Sequence, residues 1–256
     1  MTACRRAAAL IALMACTAVS GCSGDDEPAE ASTRPTVTDS TGTSAAPSAS
    51  AAPTEPMGPT VAEVFRTARA AALSAASGHV TGTVRYEGEP LKIDVEGVAD
   101  GANQTVFITT EAGGTSEVVM VDGRYWLGGD EAFWAHQTGD PTAGRAMVGK
   151  YVPIAESDAT ELGAYTLRGI LTDYFQRPEV TALESDATEA VETDLDGRPA
   201  YLLGYEGGPR LWVAADGNGT VLRAVGPTSA PSDLAFRSWG RARTFTPPPA
   251  SVVVEG

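Results

Sequence analysis

Thiols, imidazoles and ammonium groups are scarce in this chain of 256 residues: three cysteines (Cys4, Cys16, Cys22), two histidines (His79, His136) and two lysines (Lys92, Lys150). Eighteen basic residues face 33 acidic ones, for a formal charge of -15. Nucleic acid is bound by clustered Lys and Arg that displace counterions from phosphates, so that class of partner is excluded. The basic residues are almost all arginine, and Ala and Gly are abundant. That composition points to a high-GC, actinobacterial-type coding bias more than to a binding surface. Long apolar runs are missing too. The longest uncharged apolar stretch, Ala7 to Val19, is too short to cross a bilayer core as a helix, which takes about 20 residues. A multi-span membrane protein is excluded.

What that stretch does fit is a secretory signal, with Arg5 and Arg6 as its positive n-region. It ends in Val19-Ser20-Gly21-Cys22, which resembles the bacterial lipobox, where a lipoprotein signal peptidase cuts before the cysteine and the residue is acylated. Cys4 and Cys16 leave with the signal, so Cys22 has no disulfide partner in the mature chain. A lipid anchor accounts for an unpaired cysteine in an exported protein. Residues 1–21 are therefore expected to be a lipoprotein signal peptide and Cys22 the lipidated residue, placing the chain on the extracytoplasmic face of the cell membrane. The acidic body would be repelled by anionic headgroups and stand off from that membrane.

Residues 22–59 hold the acylated cysteine and an Ala/Ser/Thr/Pro-rich stretch whose large apolar side chains are Val37 and Met57. Such a stretch buries too little surface to offset its ordering entropy, so it is expected to be a disordered tether. Folding is expected over 60–256. Thr60-x-x-Glu63 is a capping-box signature, and Val61, Val64, Phe65, Ala68 and Ala72 follow at helical spacing to a stop near Gly78. Val80, Val84 and Tyr86 then alternate with polar residues, as do Leu91, Ile93 and Val95. Strands are expected over 103–110 and 115–127, the latter folded back at Asp122-Gly123. A second helix runs from Asp158 to about Gln176, with Leu167, Ile170, Leu171, Tyr174 and Phe175 as its apolar stripe. Further strands are expected over 188–194, 199–205, 210–214, 221–226, 233–243 and 252–255. Helix, strands, helix, strands is an α+β order: a curved, half-open antiparallel β-barrel of about ten strands with helices covering its concave face.

The helix followed by His79-Val80-Thr81-Gly82-Thr83-Val84, then Val121-Asp122-Gly123-Arg124-Tyr125, resembles the opening half of the LolA/LolB-like lipoproteins, in particular the actinobacterial LppX/LprG type. Asp196-Gly197-Arg198-Pro199-Ala200-Tyr201, Leu211-Trp212-Val213 and Phe236-Arg237-Ser238-Trp239-Gly240 continue the likeness over roughly residues 60 to 250. The resemblance implies an apolar cavity between sheet and helices and an acylated cargo. The chain departs from the glycolipid carriers before the central helix. There it reads Lys150-Tyr151-Val152-Pro153-Ile154, in place of an Asn/Asp-Pro and Gly-Leu-rich segment.

Catalytic chemistry finds little to work with. No Gly-x-Ser-x-Gly elbow is present. His79 falls on the polar phase of its strand and is expected to be solvated, and His136 is expected to be a structural residue before a polar loop. The carboxylates from Glu184 to Asp196 lack the spacing of a calcium loop and read as a solvated edge. No catalytic residue, metal site or cofactor is expected, and the tryptophans are assigned to the core or the sheet surface.

The leading expectation is an envelope lipoprotein that binds, and transfers or presents, a hydrophobic, acylated lipid or glycolipid. Its cavity would be lined by Val84, Tyr86, Ile93, Val95, Val106, Ile108, Leu167, Ile170, Leu171 and Leu203. The alternative is an interaction or sensory module with the same fold, a filled core and an envelope protein as partner. A carrier requires a connected apolar cavity, in the usual pocket range of about 300–1,000 Å³; an interaction module requires a filled core and an exposed patch.

Overall fold

The computed structural model describes residues 58–86 and 88–254. The signal peptide, Cys22 and nearly all of the tether lie outside the described residues. Helix α1 (Val61–Ser74) opens the domain with the expected capping box: the Glu63 amide donates to Thr60 Oγ1 at 3.3 Å, and the Thr60 amide donates to Glu63 Oε2 at 2.9 Å. It ends four residues earlier than the sequence suggests, because strand β1 (Ser77–Tyr86) has already begun at Ser77.

Strands β2 (Glu89–Val98), β3 (Asn103–Thr110), β4 (Gly114–Val121) and β5 (Arg124–Gly129) follow as a meander. The Asp122-Gly123 turn has both residues at positive φ (50° and 72°), as a two-residue hairpin requires. Next come helices α2 (Glu131–Thr138) and α3 (Pro141–Met147), then the short edge strand β6 (Val152–Ile154). A second meander runs through β7 (Val191–Leu195), β8 (Arg198–Gly204), β9 (Arg210–Ala214), β10 (Val221–Val225) and β11 (Ser232–Arg237). All strands join one antiparallel sheet in the order β6-β5-β4-β3-β2-β1-β11-β10-β9-β8-β7, so β1 and β11 stitch the two meanders together. The result is a curved, half-open barrel with helices against one face.

There are eleven strands among the described residues, in keeping with the expected number of about ten. The expected strand at 252–255 is instead a 3₁₀ turn (Ala250–Val252) with a single bridge from Val253 to Tyr151. The central helix also differs. It is broken into α4 (Glu156–Ala159), a 3₁₀ turn (Thr160–Tyr165) and α5 (Leu167–Gln176). Thr166 is extended and caps α5 by accepting from the Gly169 amide at 3.0 Å. The 3₁₀ turn presses so closely that a methyl group on Gly169 would lie 2.2 Å from the Gly163 carbonyl.

One phase of the central strands faces the helices. Val80, Val95, Val106, Val118 and Leu127 are neighbours across the register, with Phe236, Leu234, Ala224, Leu211 and Leu203 continuing the row through the second meander. Phe65 of α1 and Phe175 of α5, both essentially inaccessible, meet edge to face at 5.7 Å over this row. After Trp239, which stacks on Phe236 at the core, the last segment, 241–254, crosses the opposite, convex face as an extended strap. Asn103 exchanges hydrogen bonds with the Phe245 amide and carbonyl (both 2.8 Å), and the Val254 amide reaches the Tyr151 carbonyl at 2.8 Å.

Candidate functional site: an apolar cavity under α2

A cavity of about 190 Å³ lies between the concave side of β3, β4 and β5 and a roof made of α2 and the 3₁₀ turn. Its floor is the inward phase of the strands, Val106, Ile108, Val118, Met120 and Leu127. The roof is Phe133, His136 and Gln137 from α2, with Leu162 and Tyr165 from the 3₁₀ turn. Thr110, Ala112 and Gly113 at the β3–β4 hairpin, with the exposed ring of His136 nearby, form the open end.

Phe133, His136 and Gln137 stand at i, i+3 and i+4, one face of a helix. Sequence reasoning missed this helix because Phe133-Trp134 breaks the period and the segment is short. Its caps were nevertheless legible. The Asp130 carboxylate accepts from the Phe133 amide at 2.8 Å, and Gly139 closes the C-terminus in the left-handed region. Asp140 and Pro141 then start α3 in the same manner. His136 is thus a helical residue at the cavity's open end, not a residue before a loop.

Of the candidate lining residues, Val106 and Ile108 face the cavity. Val95, Leu167, Leu171 and Leu203 are fully buried in the packed core, and Val84, Ile93 and Ile170 pack against it, half-buried. The Tyr86 side chain lies outside the described ones. Helix α5, the C-terminal piece of the central helix, is a core element. Its Leu167 amide donates to Gln104 Oε1 at 3.1 Å, its Arg168 amide to the Ala99 carbonyl at 2.8 Å, and the Arg168 side chain to the carbonyls of Leu73 and Ala75. Gln104 itself is fully buried; its other amide atom reaches the Tyr165 carbonyl at 3.4 Å, so one side chain pins both sides of the helix break.

Polar groups at the cavity are mostly committed. Thr110 Oγ1 accepts from the Gly113 amide at 2.8 Å, and Ser116 Oγ donates to the Ile108 carbonyl at 3.4 Å. Gln137 differs. It is 7% exposed, and neither its amide nitrogen nor its oxygen has a hydrogen-bond partner among the described residues.

His79 corrects the expectation of a solvated strand residue. It is buried on the convex face, with Nε2 2.7 Å from Asp94 Oδ1 and the Arg237 guanidinium donating to Nδ1 at 3.1 Å. Glu96 lies beside it, cross-strand. Burial opposes ionisation of Glu96, but hydrogen bonds from the Arg243 side chain (2.7 Å) and backbone (3.2 Å) outweigh it and hold the carboxyl below its ordinary value. On the same face Tyr151 donates to Glu117 at 2.7 Å; burial and that carboxylate push its hydroxyl up to about 12. Trp212 stands on the convex side with Ala200, Ala214 and Leu222, flanked by Arg210 and Arg223.

The described residues form an open antiparallel half-barrel with a small, largely apolar cavity between the sheet and its roof. No family model matches the sequence, and neither does any curated protein. Solved structures do resemble it. LprF from Mycobacterium bovis is 15% identical over 73% of this chain and 96% of its own, with a TM-score of 0.48. An uncharacterized conserved protein from Thermus thermophilus is 13% identical over 76% of this chain and 98% of its own, with a TM-score of 0.33. A chain of the Pseudomonas aeruginosa MucA/MucB complex is 14% identical with a TM-score of 0.29; the match covers 75% of this chain and 59% of that one. No helix among the described residues is long and apolar enough to cross a membrane.

Proposed function

We propose that this chain is a membrane-anchored extracytoplasmic lipoprotein, acylated at Cys22, whose folded domain binds an apolar, acyl-type ligand and transfers or presents it in the cell envelope. The observation that carries the reading is the cavity under α2: an apolar floor, a roof in which Phe133 and Leu162 are joined by Gln137, Tyr165 and His136, and an opening at the β3–β4 hairpin. At about 190 Å³ it is smaller than the several hundred Å³ a lipid carrier needs. It is nearer the size class of the dry cavity of about 150 Å³ that admits benzene. As it stands it holds one short apolar segment, so a longer chain enters only when the roof moves.

The roof is suited to that. Helices of eight and seven residues are marginal without tertiary packing, and α2 and α3 end at Gly139 and just before Gly149, both in the left-handed region. Each acyl methylene buried contributes roughly 0.8 kcal/mol, which drives loading without any bond being broken. The packed remainder of the concave face favours the second reading, an interaction module with an envelope protein as partner.

Native mass spectrometry of the chain purified from a lipid-rich host, with organic extraction alongside, tests the choice. A stoichiometric bound lipid supports the carrier. A bare protein that stays bare after incubation with envelope lipids overturns it and leaves the interaction module.

A further inference from the structure

Resting on the reading of the cavity as a ligand site, we infer that its ligand carries a neutral donor–acceptor group beside its apolar chain, seated on Gln137: a secondary amide, as in an N-acylated amine. An amide that is buried and, among the described residues, unpaired on both its atoms is unfavourable unless a partner is supplied. Gln137 lines a cavity whose other polar residues are Thr110 and Ser116, which hold partners within their own hairpin, Tyr165 of the 3₁₀ turn, and His136 at the open end. A ligand that returns both hydrogen bonds therefore gains twice.

A secondary amide does so, its N–H donating to Oε1 and its C=O accepting from Nε2. An ester accepts but cannot donate, so Oε1 stays unpaired. A carboxylate is worse, since no Lys or Arg lines the cavity and the one basic side chain, His136, stands at the open end, so a charge seated on Gln137 would enter without a cation beside it. A hydroxyl next to an ester, as in a monoacylglycerol, shares the donor–acceptor chemistry and is a second source to be told apart.

The test uses the full chain carrying Cys22→Ser, stripped of lipid, and follows backbone amide shifts of α2 by NMR. The probes are N-methylhexanamide, methyl hexanoate, hexanoate at pH 7 and monohexanoylglycerol. The amide is expected to bind on the order of ten-fold more tightly than the ester, with hexanoate weakest. Monohexanoylglycerol matching or exceeding the amide moves the assignment to glycerides and overturns the amide.

Gln137→Met, close in shape and without the unpaired amide, is expected to raise Tm while erasing the preference for amide over ester. A purely structural Gln137 predicts the reverse, a lower Tm and an unchanged order of probes, and that result overturns the inference. Wild-type protein that binds amide and ester equally also overturns it and leaves the cavity reading standing. Should no probe bind, the cavity reading falls with it.

Discussion

Single residues on the two faces of the sheet do different work. Gly82 is a backbone necessity: a methyl group there would lie 1.9 Å from the Asp233 carbonyl, because β11 closes onto β1 at that register. Gly82→Ala is expected to cost about 2–3 kcal/mol, read as a lower urea midpoint. Glu96 is an electrostatic one. Folding holds its carboxyl below the ordinary value of 4.5, so its contribution is complete above that pH and is lost as pH falls through the lowered value. Arg243 is largely exposed and water screens its half of the pair, so Glu96→Gln is expected to cost about 1–2 kcal/mol at pH 7. The variant is also expected to flatten the fall in Tm between pH 5 and pH 3. An unchanged acid slope would show that other carboxylates set it.

Among the elements, the central helix and the α2–α3 pair are held to the sheet in contrasting ways. Helix α5 is tied by buried Leu167, Leu171 and Phe175, and its first amide is satisfied by the buried Gln104. Gln104→Leu keeps the volume but strands the Leu167 amide, and is expected to lower stability by about 1–3 kcal/mol. Hydrogen exchange should rank the two: amides of α5 protected close to the global unfolding limit, those of α2 and α3 opening well below it. Equal protection would argue against α2 as the moving roof. Legibility in the sequence follows the same line. The strands of both meanders, the Asp-Gly turns and the capping box of α1 could be read because period 2 and local turn chemistry are properties of contiguous residues. The break at Thr166 could not, because it depends on Gln104, 62 positions earlier, reaching across from β3. The cavity was half legible. Val106 and Ile108 sit on a clean alternating phase, whereas Phe133, His136 and Gln137 occupy too short a helix for a period to emerge. Val95, Leu167, Leu171 and Leu203 carry the same apolar signal as lining residues and differ only in what packs opposite them.

Across the molecule, the convex strap and the concave cavity share two strands. In β4 and β5, Val118, Met120 and Leu127 point into the cavity, while Val119, Val121 and Trp126 alternate with them on the outer face, packed under Phe245 and Val253. The strap is fastened at both ends of that patch, by Arg243 to Glu96 and by Val252 and Val254 to Tyr151. Truncation after Arg241 would uncover those three side chains in part and remove the Arg243 side-chain and backbone hydrogen bonds from the buried Glu96, leaving it His79 alone at 3.6 Å. At roughly 1.5–3 kcal/mol for each large apolar side chain fully exposed, a loss of about 3 kcal/mol is expected, seen as a lower Tm. Because the strands are shared, the loss should not stay on the outer face. Amides of β4 and β5 should exchange faster, and affinity for an apolar probe in the cavity should fall even though no strap residue touches it. Truncation that lowers Tm but leaves probe affinity intact would show that the two faces act independently, with the cavity held by the helices alone.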